Sequence, residues 1–244
     1  MNLIIDIGNS FAKVAVFERG EMVEIFRFPN RSLEGLSDVV RSYSLDKGIV
    51  SSVITIDPKM EEQLNSLGIP LLTLSPDTPL PIHNLYKTPE TLGPDRLAAV
   101  VGAYERCRGE NALVIDVGTC ITYDFIDAFG RYHGGNISPG ITMRFKALHV
   151  YTDRLPLVEM CGDFDILGFS TETAIRSGVM RGVELEIKGY IREMQDKYGR
   201  LFVFLTGGDV VSFETTEKSS IFADEYLVLK GLNGILNYNE DIFS

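Results

Sequence analysis

One phrase occurs twice in this chain, about 110 residues apart. Leu3-Ile4-Ile5-Asp6-Ile7-Gly8-Asn9-Ser10 returns as Leu113-Val114-Ile115-Asp116-Val117-Gly118-Thr119-Cys120. Each copy is a run of apolar β-formers that ends in an aspartate, then a glycine, then small polar residues. A second β-rich run follows each, Ala12–Phe17 and Ile121–Ile126. The pattern predicts a strand, a tight turn and an antiparallel strand, with an acid at the tip of the buried first strand. Glycine lets the backbone come close to a ligand, and exposed amides beyond it can hold an anion. A single Asp-x-Gly is more often a plain turn. Two in matching context predict a duplicated domain whose facing hairpins hold one polyphosphate.

The rest of the chain fits a duplicated plan. After the first hairpin come a strand at Met22–Phe28, a helix at Leu33–Tyr43 with Ser32 as N-cap, and a strand at Gly48–Ile54. A helix at Asp57–Leu67, with Pro58 in its first turn, and a short strand at Pro70–Leu74 follow. That is the order of a ribonuclease-H-like half. Ser75–Pro89 carries four prolines and predicts a surface loop, and Gly93–Arg108 returns to helix. The second half predicts strands at Ala112–Val117, Ile121–Asp127 and Arg131–Ile137. Gly134-Gly135-Asn136-Ile137-Ser138-Pro139-Gly140-Ile141 is too rich in glycine for regular structure and leads into a helix near Thr142–His149. Thr171–Tyr198 is the longest helix, Leu201–Leu205 a strand, and Leu227–Leu236 a closing helix. The expectation is an α/β protein of two ribonuclease-H-like domains, 1–110 and 111–244. Each has a mixed five-stranded sheet flanked by helices, with nucleotide in the interdomain cleft.

Composition narrows the partners. A chain of 244 residues suits one large domain or two smaller ones. The net charge of −11 argues against a nucleic-acid partner, because that binding rests on clustered Lys and Arg. No apolar run approaches the roughly 20 residues of a membrane span. The N-terminus has no basic segment ahead of a cleavage site, so no leader is expected. Cys107, Cys120 and Cys161 are odd in number and lack Cys-x-x-Cys spacing, so neither a disulfide framework nor a zinc site is expected and a cytoplasmic location fits.

Phosphoryl transfer needs a cradle for the leaving phosphates, a metal to spread developing charge, and an oriented nucleophile. Backbone N–H groups near Gly8–Ser10 and Gly118–Cys120 supply the cradle. Lys13, just past the first turn, either reaches the phosphates or is a solvated strand lysine. Asp6 and Asp116 sit where they can hold cations directly or through water, or can act as turn caps. Mg²⁺ keeps several waters and few protein ligands, so sparse carboxylates are no obstacle. Thr206-Gly207-Gly208 follows an apolar strand and leaves bare backbone for an adenine ring or ribose; the alternative is an ordinary turn. Gly93-Pro94-Asp95-Arg96 opens a helix between the two Asp-x-Gly turns. Asp95 there either caps the helix or accepts the proton of a substrate hydroxyl. His83, His133 and His149 show no ligand spacing, and no Gly-x-x-x-x-Gly-Lys-Ser/Thr motif is present.

Together these segments resemble a known family. Asp6-x-Gly8-Asn9-Ser10-x-x-Lys13, Gly93-Pro94-Asp95-Arg96, Asp116-x-Gly118-Thr119-Cys120-x-Thr122, Gly134-Gly135-x-Ile137-x-Pro139-Gly140, Leu155-Pro156, Gly168-x-x-Thr171-x-x-Ala174-Ile175-x-Ser177-Gly178 and Thr206-Gly207-Gly208 are similar to the motifs of type III pantothenate kinases. These are members of the acetate/sugar kinase–chaperone–actin superfamily, with an actin-like ATPase fold. The resemblance implies ATP-dependent phosphorylation of pantothenate at its primary hydroxyl, the first step toward coenzyme A. It implies that Asp6, Ile7, Gly8, Asn9, Ser10, Phe11, Ala12, Lys13 and Thr119 bind ATP, with Gly118 in the same turn. It makes Asp95 the proton acceptor and Asp116 the holder of a monovalent cation, K⁺ or NH₄⁺. It lines the pantothenate pocket with Tyr86, Gly93, Pro94, Arg96 and Thr171. A divalent cation such as Mg²⁺, held at Asp6 through water, and a homodimer are also implied. Cys120 stands where the family usually has alanine, and Ser10 where threonine is commoner. The alternatives are another superfamily phosphotransferase, such as a sugar kinase or exopolyphosphatase, and a non-catalytic regulator that kept the fold.

Overall fold

Two compact units make up the chain. One holds Met1–Gly109, Phe129–His133 and Tyr226–Ser244, the other Glu110–Ala128 and Gly134–Glu225. The computed structural model describes residues 1–209 and 221–243.

The first unit is built on strands β1 (Asn2–Ile7), β2 (Phe11–Glu18), β3 (Glu21–Pro29), β4 (Lys47–Ser52) and β5 (Leu71–Thr73), in the order β3-β2-β1-β4-β5. β1 runs antiparallel to β2 and parallel to β4. Strand alternation sends Leu3, Ile5, Ile7, Val14 and Val16 to one face. There they pack with Leu36 and Val39 of α1 (Leu36–Ser42) and Met60 and Leu64 of α2 (Pro58–Asn65). Asp57 caps α2 by accepting the Met60 N–H at 2.9 Å. The cap of α1 is Gly35, at φ 89°, and not Ser32. Ser32 is spent in a turn that returns its N–H to Pro29 O, and the Leu36 N–H bonds Leu33 O before the helix begins.

Helices α3 (Pro94–Arg106) and α6 (Leu227–Tyr238) pack against each other and against β4, with α6 also on β1. Their backbones nearly touch. A Cβ on Gly231 would fall 1.7 Å from Ala98 O, and one on Gly102 would fall 2.5 Å from Leu227 O. The stretch expected as a surface loop, Ser75–Pro89, contains β6 (His83–Asn84), and a 3₁₀ turn at Pro89–Thr91 begins at its last residue. β6 pairs with Arg131 and Tyr132, which belong to the same unit.

A second sheet repeats the plan with β7 (Ala112–Val117), β8 (Cys120–Ile126), β9 (Arg131–Pro139), β10 (Phe202–Thr206) and β11 (Ile221–Ala223); β9 begins in the Phe129–His133 segment of the first unit. Its order is β11-β10-β7-β8-β9-β6, six strands rather than the expected five, because β6 adds to the free edge of β9. Leaving β6 aside, the order is that of the first sheet, position by position. β9 continues through the glycine-rich segment that the sequence reading left irregular. Glycine is the reason it can: a Cβ on Gly135 would lie 1.9 Å from Tyr123 O on the neighbouring strand. α4 (Ile141–Val150) and α5 (Thr171–Tyr198) cover this sheet. Ile175, Val179, Val183, Ile187 and Ile191 of α5 enter the core beside Leu113, Ile115 and Val203. β11 follows the strand-turn segment without a local signal of its own and was not anticipated.

Candidate active site

In the first unit, β1 delivers Asp6 to the end of the sheet, opposite Lys13 of β2 and Ser51 of β4. Directly paired residues share a face, so Lys13, Asp6 and Ser51 form one row. Ser51 is fully buried, and its hydroxyl has no hydrogen-bond partner among the described residues. Beyond Asp6 the Gly8 N–H donates to Phe11 O at 3.0 Å and closes the turn. Asn30, just past β3, donates its side-chain amide to Gly8 O (3.2 Å) and Asn9 O (2.5 Å). Occupied carbonyls reduce the negative potential that the turn presents to an anion. Ile7 and Ala12 are buried on either side, whereas Phe11 is exposed.

A second group gathers where α3 begins. Pro94 occupies the first helical position, and Asp95 follows in the first turn. The Asp95 carboxylate accepts the Arg96 N–H at 2.8 Å. A Cβ on Gly93 would lie 2.5 Å from Asp95 Oδ1, so glycine here makes room for the acid. Arg96 is buried, and its guanidinium lies 5.6 Å from the ring centroid of Tyr86. Tyr86 in turn stacks on Tyr132, with centroids 6.1 Å apart, and its N–H is held by Asn84 Oδ1.

In the second unit the matching row is Thr122, Asp116 and Thr206. The turn is one residue shorter: Val117 pairs with Ile121, whereas Ile7 pairs with Ala12. The Gly118 N–H donates to Cys120 O (3.0 Å), and Thr119 O accepts from the Gly140 N–H (3.1 Å). Gly207 sits at φ +106°, where a Cβ would lie 2.3 Å from Val117 O and 2.6 Å from Asp116 Oδ1. Its lack of a side chain is therefore demanded by this chain's own backbone. Among the described residues nothing lies within 4 Å of a Cβ on Gly208.

Thr171 stands in a different place of that unit. It opens α5 behind a capping box in which Ser170 and Thr173 bond reciprocally. With Arg144, Leu148, Tyr151, Ile175 and Gly178 it lines a mainly apolar groove of about 850 Å³ between α4 and α5.

The predicted residues thus fall into four groups: Asp6 to Lys13; Tyr86 with Gly93–Arg96; Asp116, Gly118 and Thr119 with Thr206–Gly208; and Thr171. Ser51, Asn30 and Tyr132 escaped the sequence reading. Only the register of the sheet shows Ser51 beside Asp6, and no local pattern marks the other two. Among the described residues no cluster of three or more His, Cys, Asp or Glu could hold a metal by itself. None of the described helices is long and apolar enough to cross a membrane.

The doubled sheet with an aspartate and a glycine turn at the same strand tip defines a class, the actin-like α/β fold. Comparison agrees. The chain superposes on an N-acetylmannosamine kinase candidate from Listeria monocytogenes with a TM-score of 0.57, 12% identity, and coverage of 97% of this chain and 99% of that one. A glucokinase of the ROK family from Streptomyces griseus gives 0.52 at 12% identity, over 98% and 99%. A Campylobacter jejuni protein described as a candidate Baf family transcriptional activator gives 0.62 at 24% identity, over 98% and 99%. At these identities the likeness speaks for the fold alone.

Sequence relatives go further. The profile of type III pantothenate kinases matches residues 2–193. The type III pantothenate kinase of Phocaeicola vulgatus is 58% identical over 99% of this chain and 100% of its own length. That of Bacteroides fragilis strain ATCC 25285 is 59% identical over 98% of both. The chain belongs to the type III pantothenate kinase family; it is a kinase that uses ATP to phosphorylate pantothenate in coenzyme A biosynthesis.

Proposed function

We propose that both glycine turns donate backbone N–H groups to the polyphosphate of ATP, that Lys13 adds a positive charge, and that Asp95 takes the proton of the primary hydroxyl of pantothenate. The observation that carries this reading is the pair of equivalent rows, Lys13–Asp6–Ser51 and Thr122–Asp116–Thr206, each beside a glycine turn. Phosphoryl transfer is mostly positioning and charge stabilisation, which turn amides and a lysine provide. Thr206 and Gly208 would border the nucleoside, since no described residue within 4 Å of a Cβ on Gly208 keeps a flat ring from the backbone. Tyr86, Gly93, Pro94 and Arg96 would line the pantothenate pocket together with Thr171. The start of a helix favours an anion such as the pantothenate carboxylate.

Cations complete the charge balance. Single carboxylates suit Mg²⁺, which keeps water and phosphate oxygens as its other ligands. Asp6 is the residue we assign to it, through water. A divalent ion bound with ATP spreads the charge that develops on the transferred group. Asp116, with Val117 O close to its carboxylate beside Gly207, offers the carboxylate and carbonyl oxygens that K⁺ or NH₄⁺ accepts.

We also assign a homodimer in the cytoplasm. Among the described residues, Gly178, Gly182 and Gly189 of α5 have no atom of another element within 4 Å of a Cβ position, so the packing of those residues does not require them. The α4–α5 groove is mainly apolar, and Tyr151 just past α4 and Leu185 of α5 are exposed. Three cysteines without a disulfide fit a reducing compartment.

The test of the cation assignment is turnover in potassium and in sodium buffers. Wild type is expected to need K⁺ or NH₄⁺, and Asp116→Asn to lose that response. Equal rates in sodium alone would contradict the assignment.

A further inference from the structure

The second turn does not stand alone; a junction lies flat against it. Between β9 and α4, Gly140 donates its N–H to Thr119 O, and its Cβ would fall 2.2 Å from Gly118 O and 2.4 Å from Thr119 O. Where the junction goes, the turn must follow. What fixes the junction is Arg144, one turn into α4. Its Nε donates to Pro139 O at 2.8 Å, and its Nη2 donates to Ser138 Oγ at 2.7 Å and to Glu186 Oε2 of α5 at 2.5 Å. The other Glu186 oxygen accepts the Tyr123 hydroxyl of β8 at 2.8 Å. One guanidinium therefore ties the junction to the middle of the long helix and, through Glu186, to the strand that leaves the turn.

Both charges are about four-fifths buried, with 21% and 23% of the side chains exposed. Burial alone would raise the Glu186 carboxyl. Hydrogen bonds from Arg144, Ser138 and Tyr123, with the charge of Arg144, outweigh it and hold the group below its ordinary range. Burial, then the bond to Glu186, pushes the Tyr123 phenol up, so it stays a donor. Arg144 also borders the α4–α5 groove, but none of these side chains was given a part in binding ATP or in catalysis, and a planar fork that meets three acceptors cannot be copied by lysine.

We propose that Arg144 and Glu186 are a positioning pair that sets the Gly118–Cys120 turn for ATP, with Tyr123 orienting the carboxylate. The proposal rests on the reading that this turn binds ATP, and the experiment separates the two. ATP affinity is measured by direct titration, alongside the KM of each substrate and the melting temperature, for Arg144→Lys, Glu186→Gln, their double mutant, Tyr123→Phe and Gly118→Ala. A misplacement of about 1 Å can cost on the order of 100-fold. Arg144→Lys and Glu186→Gln are each expected to weaken ATP about 10-fold or more, with pantothenate KM within about twofold. The double mutant is expected to be no worse than the poorer single, because both break one bridge. Tyr123→Phe, which removes only a hydroxyl, should shift ATP the same way by less. Unchanged ATP affinity in the Arg144 and Glu186 variants would overturn the proposal. So would a parallel rise of both KM values that tracks a lost melting temperature, because that is what a purely structural pair gives. Gly118→Ala meets nothing of its own chain nearer than 3.6 Å and should fold. If it leaves ATP binding intact, the turn reading itself falls; if it weakens ATP while the Arg144 variants do not, only the pair's role falls.

Discussion

Gly207 and Gly208 are chemically identical neighbours with opposite surroundings. Gly207 holds a left-handed backbone conformation, and a methyl group there would strike Val117 O and the Asp116 carboxylate. Gly208 has no described residue within 4 Å of a Cβ position. Gly207→Ala is expected to lower stability by about 1–3 kcal/mol or more from overpacking and strain, and to disturb Asp116. Gly208→Ala is expected to fold like wild type and show a change only in ATP affinity. Chemical denaturation and nucleotide titration of both variants check this, and similar melting of the two would contradict it. At this scale the sequence was informative where it repeated itself. Asp6 and Asp116 stood out because the same phrase surrounds both. Asn30, Ser51 and Arg144 did not, because their importance comes from which turn, strand or helix the fold lays beside them. Gly207 was legible as a glycine with a purpose. Its crowding by Asp116 follows only from the parallel pairing of β10 with β7, which sets Thr206 beside Asp116.

At the scale of elements, glycine again separates contact from freedom. Gly231 of α6 crosses α3 at backbone distance, while Gly189 of α5 faces no neighbouring element among the described residues. Gly231→Ala is expected to cost about 3 kcal/mol or to prevent folding, because backbone cannot yield to a Cβ at 1.7 Å. Gly189→Ala is expected to be neutral or to stabilise by up to about 1 kcal/mol through helix propensity. Urea unfolding of both decides it; comparable losses would refute the packing argument. Strands and long helices were readable from periodicity, and α5 begins and ends where its apolar stripe and capping residues put it. The glycine-rich end of β9 was not, because a strand that must pass 1.9 Å from Tyr123 O at a Cβ position excludes the residues that usually mark a strand. β6 and β11 are too short to show a period.

The whole molecule repeats one sheet order twice, and the repeat was legible because the two hairpins keep matching sequence. The membership of α6 in the first unit was not, since its apolar face looks the same whichever sheet it covers. For the assembly, sedimentation at assay concentrations should give a dimer. Gly178→Leu, added where no other described element is within 4 Å of a Cβ position, should leave the subunit folded while weakening association. Mixing inactive Asp95→Asn chains with chains blocked at Thr171 should recover activity if pockets draw on two chains. A fully active monomer would contradict the dimer.

The most direct measurement is pantothenate-dependent release of ADP, with the phosphorylated product identified by mass and ATP binding titrated on the same samples, for wild type and Asp95→Asn. Wild type should release ADP only when pantothenate is present and yield pantothenate phosphorylated at its primary hydroxyl. Asp95→Asn should bind ATP normally and turn over about 10²–10⁴-fold more slowly, the usual weight of a general base. Turnover of Asp95→Asn within about threefold of wild type, well short of that range, or ADP release that ignores pantothenate, would contradict the assigned chemistry.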